Sequence, residues 1–209
     1  MKIAMINGSP KSKDSTSGYL LAELKGCVAG NAVIREFCMN KPQIDDETRL
    51  ELNSCDALVF AYPLYVDGIP SQLLSCLCQI EKMGMENRDI MVFGIVNSGF
   101  YEGRQNAVAI EILENWCHKV KLQWGMGVGV GGGGGLSKMK SVPLGKGPKV
   151  SLAAALHTLR DHIENRTAAE NLYVSVDFPR WLYKLAAETG WKQQIKKNGG
   201  KPKDLDRRL

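Results

Sequence analysis

The chain of 209 residues is 44% hydrophobic and 23% charged, ordinary values for a globular domain large enough to bury a core without disulfides or metal. Its formal charge of +5 is modest, and few aromatics are interleaved among the basic residues, which argues against nucleic acid as a partner. The opening apolar run of about five residues is too short for a secretory segment, and nothing approaches the roughly 18 apolar residues of a membrane span. A cytoplasmic protein with no membrane span is expected.

Six cysteines, at 27, 38, 55, 76, 78 and 117, lie in apolar segments without the spacing of a disulfide framework. They read as reduced core residues. His157 and His162 fall on different sides of a helix and His118 is isolated, so no metal site follows. The paired Cys76 and Cys78 sit in an apolar helix and lack iron–sulfur spacing.

In chain order, Lys2 to Ile6 reads as a buried strand. It breaks into Asn7-Gly8-Ser9-Pro10-Lys11-Ser12-Lys13-Asp14-Ser15-Thr16-Ser17 before a helical pattern begins at Tyr19. A strand, a loop of small hydroxyl residues and a helix N-terminus form a cradle for phosphate. The first turn of a helix leaves N–H groups unpaired, and the helix dipole favours an anion there. Ser9, Ser15, Thr16 and Ser17 can add hydroxyl donors; one of the serines could instead serve only as the N-cap.

Ala32 to Cys38 is short and β-branched, and Ala57 to Ala61 is a continuous apolar run; both read as inner or near-inner strands. A short helix is expected over Asp45 to Asn53. The next covers Ser71 to Met83, with Leu73, Leu74, Leu77 and Ile80 facing a sheet. Ile90 to Val96 is the fourth strand, and Asn106 to Trp116 the fourth helix, with Val108, Ile112 and Leu113 inward. Leu122 to Val130 is the fifth strand, and a fifth helix runs from about Lys149 to Asn165.

Strands alternating with helices imply a parallel sheet covered on both faces. With five strands in the order 2-1-3-4-5, ligands bind where the winding reverses, beyond the carboxyl ends of strands one and three. The cradle follows strand one, Tyr62-Pro63-Leu64-Tyr65-Val66-Asp67-Gly68-Ile69-Pro70 follows strand three, and Asn97-Ser98-Gly99-Phe100-Tyr101-Glu102-Gly103 follows strand four. Aromatic and glycine-rich loops beside a phosphate cradle suit a flat heterocycle such as flavin mononucleotide.

These three motifs resemble those of the flavodoxin-like NAD(P)H-dependent FMN reductase and quinone reductase superfamily, over about residues 1 to 165. The resemblance implies a three-layer flavodoxin-like sandwich with bound FMN and NADH or NADPH as co-substrate. Ser9, Lys11, Ser15, Thr16 and Ser17 would hold the phosphate, Pro63, Leu64, Tyr65 and Val66 would line the isoalloxazine, and Asn97, Ser98, Gly99, Phe100 and Tyr101 would meet its far edge. Amides around Leu64 to Val66 and Ser98 to Tyr101 could stabilise negative charge on the ring. The acceptor would be a small molecule such as a quinone or flavin, with no catalytic side chain assigned. The alternative is an electron carrier of flavodoxin type without nicotinamide activity, which the basic charge disfavours.

The strand-five region departs from this pattern. Glycine alternates with larger residues from Trp124 to Val130, which lets another backbone or a helix approach closely. Five consecutive glycines, 131 to 135, then read either as a mobile cover or as a surface connection extending through Pro148. Gly127, Gly129 and Gly132 match G-x-G-x-x-G, but no following helix and no acid about twenty residues on support a dinucleotide fingerprint.

A flavodoxin-like domain is expected over residues 1–168, with 169–209 an amphipathic, aromatic extension and basic tail. Trp181, Leu182 and Leu185 share a face in that extension, which suits first a homodimer contact, then packing on the same domain, and less well a membrane surface. Lys192, Lys196, Lys197, Lys201, Lys203, Arg207 and Arg208 crowd the last eighteen residues, as in a solvated tail.

Overall fold

The computed structural model describes residues 1–136 and 139–206. Its sheet comprises β1 (Lys2–Asn7), β2 (Val33–Cys38), β3 (Ala57–Pro63), β4 (Met91–Asn97), β5 (Gln123–Val130) and β6 (Leu172–Val174). The helices are α1 (Thr16–Cys27), α2 (Asp46–Asn53), α3 (Ser71–Met83), α4 (Ala107–Lys119), α5 (Gly133–Leu136), α6 (Val150–Asn165) and α7 (Arg180–Lys197). All five strand pairings are parallel, in the order β2-β1-β3-β4-β5-β6. The expected five-strand order is therefore correct as far as it goes, and a sixth strand extends it.

The glycines of β5 make room for different neighbours: a Cβ at Gly125 would lie 2.3 Å from the Phe93 ring, and one at Gly127 would lie 2.5 Å from Cγ2 of Ile110 in α4. A Cβ at Gly129 would lie 2.7 Å from Cδ1 of Tyr173, and one at Gly127 would lie 3.1 Å from Oδ1 of Asn171. The amide of Ala169 donates to the carbonyl of Gly125 at 2.9 Å, so the returning chain already runs beside β5 before β6 begins. At Gly129 the carbonyl oxygen of Gly103 is as close as the Tyr173 ring, at 2.7 Å. Tyr173 and Val174, assigned from sequence to an amphipathic extension, belong to the sheet.

One face of the sheet packs Ala4, Ile6, Leu58, Phe60, Tyr62, Val92 and Val96 against Leu52 of α2, Leu73, Leu77 and Ile80 of α3, and Ile110, Leu113 and Trp116 of α4. The Phe60 and Trp116 rings meet edge to face at 5.8 Å, and the Trp116 indole donates to the carbonyl of Leu77 at 2.9 Å. α1 and α6 pack together across the other face. Burying such apolar runs, at about 25 cal/mol per Å² removed from water, is the main driving force for this fold.

Three expectations need correction. β2 is an edge strand with mostly exposed positions, since only β1 lies beside it. Leu74 and Val108 are exposed, because α3 turns Leu73 and Leu77 inward and α4 presents Ala109, Ile110 and Leu113 instead. Cys38 and Cys78 are exposed, unlike the buried Cys55, Cys76 and Cys117.

The chain divides into two compact units, Met1–Val176 and the residues from Asp177 onward. The first contains the whole sheet and α1 to α6. The second contains α7, which has no buried residue along its 18 positions. No described helix is long and apolar enough to cross a membrane.

Candidate functional site

The cradle forms as the residue order requires. Asn7 ends β1 and folds back on the loop. Its Oδ1 accepts from the Ser9 amide at 3.0 Å, an Asx turn, while its Nδ2 donates to the Ser15 hydroxyl at 3.1 Å. Gln72 of α3 braces the same loop by donating to the carbonyl of Gly8 at 3.1 Å. Neither side chain was singled out from sequence, although an Asn directly after an apolar strand is a turn signal.

Ser15 is the N-cap of α1. Its hydroxyl oxygen accepts from the Gly18 amide at 3.0 Å, and the first two amides of the helix, Thr16 and Ser17, have no acceptor among the described residues. The amides of Ser12, Lys13 and Asp14 likewise have none. The Ser9 hydroxyl accepts from the Lys11 amide at 3.3 Å, and the Lys11 side chain is exposed. Thr16 differs from the serines, because its hydroxyl donates to the carbonyl of Gly133 at 3.2 Å and so has already used its proton.

Asn97 at the end of β4 is buried and donates to the Ser17 hydroxyl at 2.9 Å and to the carbonyl of Tyr62 at 3.1 Å. The Asn97 carbonyl in turn accepts from Leu64 at 2.8 Å. The cradle and the loops after β3 and β4 are thus bonded to one another. Asn97 is a link between these loops, with its amide hydrogens engaged by protein oxygens.

The loop after β3 is a tight turn in which Tyr65 and Gly68 exchange backbone hydrogen bonds at 3.1 and 3.0 Å. Val66 and Asp67 at its tip have φ of +49° and +55°. A β-branched residue is strained there, and Val66 is fully exposed. Tyr65 and Phe100 are also large exposed apolar groups. The amides of Leu64, Tyr65 and Ser98 are engaged by Asn97, Gly68 and Val130, so they are not the donors expected for a ligand. The Ser98 hydroxyl is buried and has no hydrogen-bond partner among the described residues.

The glycine run is fixed rather than loose where it begins. Gly131 donates to Val174 at 2.8 Å, Gly132 to Phe100 at 2.6 Å and Gly133 to Ser98 at 2.7 Å. Gly131 to Gly133 are buried, and Gly132 takes φ of +73°. A helix does follow the G-x-G-x-x-G match, but α5 is only four residues long and its run folds onto the loop after β4. Further on, Lys140 pairs with Asp14 at 3.1 Å, and the fully buried Lys149 donates to the Tyr19 hydroxyl at 2.6 Å and to the carbonyl of Val142. Burial and the neighbouring Glu23 carboxylate push the Tyr19 phenol well above its ordinary pKa.

A cavity of about 400 Å³ flanks the cradle between α1 and β2, lined by Met5, Asn7, Gly18, Leu21 and Cys38 among others. It does not include the loops after β3 and β4. Among the described residues no group of three metal-ligating side chains occurs.

No family model matches the chain, and no curated protein matches it in sequence. Solved structures do match its fold. An NADH:FMN oxidoreductase in its apo form aligns with a TM-score of 0.59 and 16% identity over 81% of this chain and 91% of its own. A flavodoxin from Streptococcus pneumonia aligns at 0.56 and 10%, over 79% and 100%. An FMN-dependent NADH-azoreductase from Bacillus anthracis, in complex with FMN, aligns at 0.51 and 16%, over 79% and 99%. The chain has the flavodoxin-like fold. These identities carry the likeness of architecture alone, so the chemistry must be argued from the side chains.

Proposed function

We propose that this flavodoxin-like chain binds FMN at the carboxyl edge of its sheet and acts as an NAD(P)H-dependent oxidoreductase toward a small acceptor. The single observation that carries the reading is the junction of two unmet hydrogen-bonding demands. Open amides at the start of α1 and the unpartnered buried Ser98 hydroxyl lie on loops tied together by Asn97. The first suits a phosphate, the second a polar edge of a heterocycle. The fold's likeness to an NADH:FMN oxidoreductase and an FMN-dependent azoreductase supports the same ligand.

Bound FMN would take a hydride from NADH or NADPH and deliver two electrons to a quinone, a flavin or a similar acceptor. The amides of Thr16 and Ser17 and the hydroxyl protons of Ser9, Ser15 and Ser17 would bind the phosphate, with Lys11 supplying charge. Thr16 would act through its backbone, since its hydroxyl is committed to Gly133. Tyr65, Val66 and Phe100 would give apolar cover, Pro63 and Leu64 would shape one wall, and Ser98, Gly99 and Tyr101 would form the other. Asn97 would position rather than touch the ligand.

Anaerobic stopped-flow mixing of FMN-loaded protein with NADH and with NADPH tests the activity. Bleaching of the flavin band by either is the expected result. Bleaching by dithionite alone would leave an electron carrier, and failure to retain FMN at all would overturn the site. Replacing Ser15 and Thr16 together by Glu should abolish FMN retention by setting two carboxylates against the phosphate.

A further inference from the structure

The net charge of this chain is carried by one end. Residues 1–176 hold eighteen basic and eighteen acidic side chains, whereas the residues beyond hold nine basic against four acidic, the whole excess of +5. That same short stretch contains α7, whose Trp181, Leu185 and Trp191 are 68%, 52% and 63% exposed. Leu182, Tyr183, Ala187 and Gly190, on the opposite side of the helix, are half-buried. Its open side mixes large apolar groups with Lys192 and with Lys184, which lies 4.0 Å from the exposed Glu188, and Lys196 and Lys197 follow in the last turn.

From this arrangement we propose that the carboxyl-terminal unit is a docking surface for an anionic lipid bilayer, with α7 lying in the plane of the headgroups. Trp and Leu side chains enter the boundary between headgroup and acyl chain, while lysines beside them reach anionic headgroups with their long stems along the apolar surface. Association is peripheral, in keeping with the absence of any spanning helix among the described residues. Two tryptophans on one exposed helix fit the interface better than water, since an indole has both a large apolar body and a polar N–H.

Charge and apolarity together select this occupant. A second copy of the chain would set another basic unit against the first, and three exposed apolar side chains are few to overcome that repulsion. Nucleic acid would satisfy the lysines, and the indoles could stack on bases, but an aliphatic Leu185 gains nothing from a base or a phosphate. A lipid surface satisfies the lysines, the indoles and the leucine at once.

The test is co-sedimentation of the full chain with vesicles of phosphatidylcholine alone and of phosphatidylcholine mixed with phosphatidylglycerol. Binding to the anionic vesicles only, with release by added salt, is expected. Lys192→Gln, Lys196→Gln and Lys197→Gln together should weaken it on the order of a hundredfold, from about fivefold per basic residue near the surface. Trp181→Ala with Trp191→Ala should weaken it at least tenfold while leaving thermal unfolding unchanged. No binding to anionic vesicles, or equal binding to neutral ones, overturns the proposal. So does preference for a single-stranded oligonucleotide over the vesicles, or a dimer in lipid-free buffer that the tryptophan variant dissolves. None of these readouts depends on flavin content or on nicotinamide activity.

Discussion

The side-chain amide of Asn97 donates to the Ser17 hydroxyl at 2.9 Å, joining positions 80 residues apart. Through this bond and its second one to Tyr62, a single buried residue holds the end of β4, the end of β3 and the first turn of α1 in register. The Asn97→Ala variant removes both bonds and leaves a small void, and each lost bond is worth about 0.5 to 1.5 kcal/mol. Urea unfolding should show a loss of about 2 kcal/mol, and FMN affinity should fall, because the loops that Asn97 ties together would be released. Unchanged affinity in a destabilised variant would show that the two loops are positioned independently.

The strained turn at Val66 makes the opposite prediction for stability. Asn tolerates positive φ far better than a β-branched residue, and the side chain lost is fully exposed. Val66→Asn should therefore raise the urea midpoint, by about 1 kcal/mol of stability, and weaken FMN binding through loss of apolar cover. A variant that is less stable would mean that Val66 packs on something other than the ligand.

Glycines within the run after β5 should respond unequally to a methyl group. A Cβ at Gly131 would sit 2.1 Å from the Tyr101 carbonyl oxygen and 2.8 Å from the Glu102 carbonyl carbon, which are backbone atoms that cannot step aside. Gly131→Ala should cost about 1 to 3 kcal/mol or prevent folding. At Gly134 nothing lies within 4 Å, so Gly134→Ala should be neutral or mildly stabilising. Equal thermal shifts for the two would refute the packing described for this segment.

The contrast between these glycines marks the limit of what the sequence reveals. β1, β3 and β4 were legible because strands buried on both faces need apolar runs, and Ile3 to Ile6, Ala57 to Tyr62 and Met91 to Val96 supply them. The cradle was legible because its hydroxyl residues lie between a strand and a helix. β6 was not, since three half-buried residues carry no periodic signal. Alternating glycines in β5 did announce close neighbours, but only the fold identifies them as the Phe93 ring at Gly125, Ile110 at Gly127, and the Tyr173 ring and Gly103 carbonyl at Gly129. Thr16 and the amides of Leu64, Tyr65 and Ser98 show the same limit at the site, because composition reveals a donor and not what it has already bonded.

Burial of a thiol gives a signed pH dependence. Cys117 lies fully buried on α4, and burial pushes its pKa from 9.0 up to about 12. Between these values the unfolded chain loses the thiol proton and the folded one keeps it, so stability falls as pH rises, by about 1.4 kcal/mol per pH unit for one such group. Cys55 and Cys76 are raised in the same direction, also by burial. Urea unfolding from pH 8 to pH 11 should show a decline that begins near pH 9 and is shallower in Cys117→Val. An unchanged slope in that variant would assign the alkaline loss to other groups.

The Ser98 hydroxyl offers the sharpest separation of fold from function. A buried hydroxyl without a partner costs about 1 to 3 kcal/mol in desolvation, a cost that a bound ligand supplying an acceptor would relieve. In the ligand-free protein Ser98→Ala removes that cost at the loss of one oxygen atom, so its unfolding midpoint should hold or rise. FMN affinity should fall by about three- to tenfold, the worth of one neutral hydrogen bond. Isothermal titration with FMN beside urea unfolding of the unloaded protein measures both quantities on one variant. A less stable apo variant with unchanged FMN affinity would show that the hydroxyl serves the fold, and would move the heterocycle's polar edge to another loop.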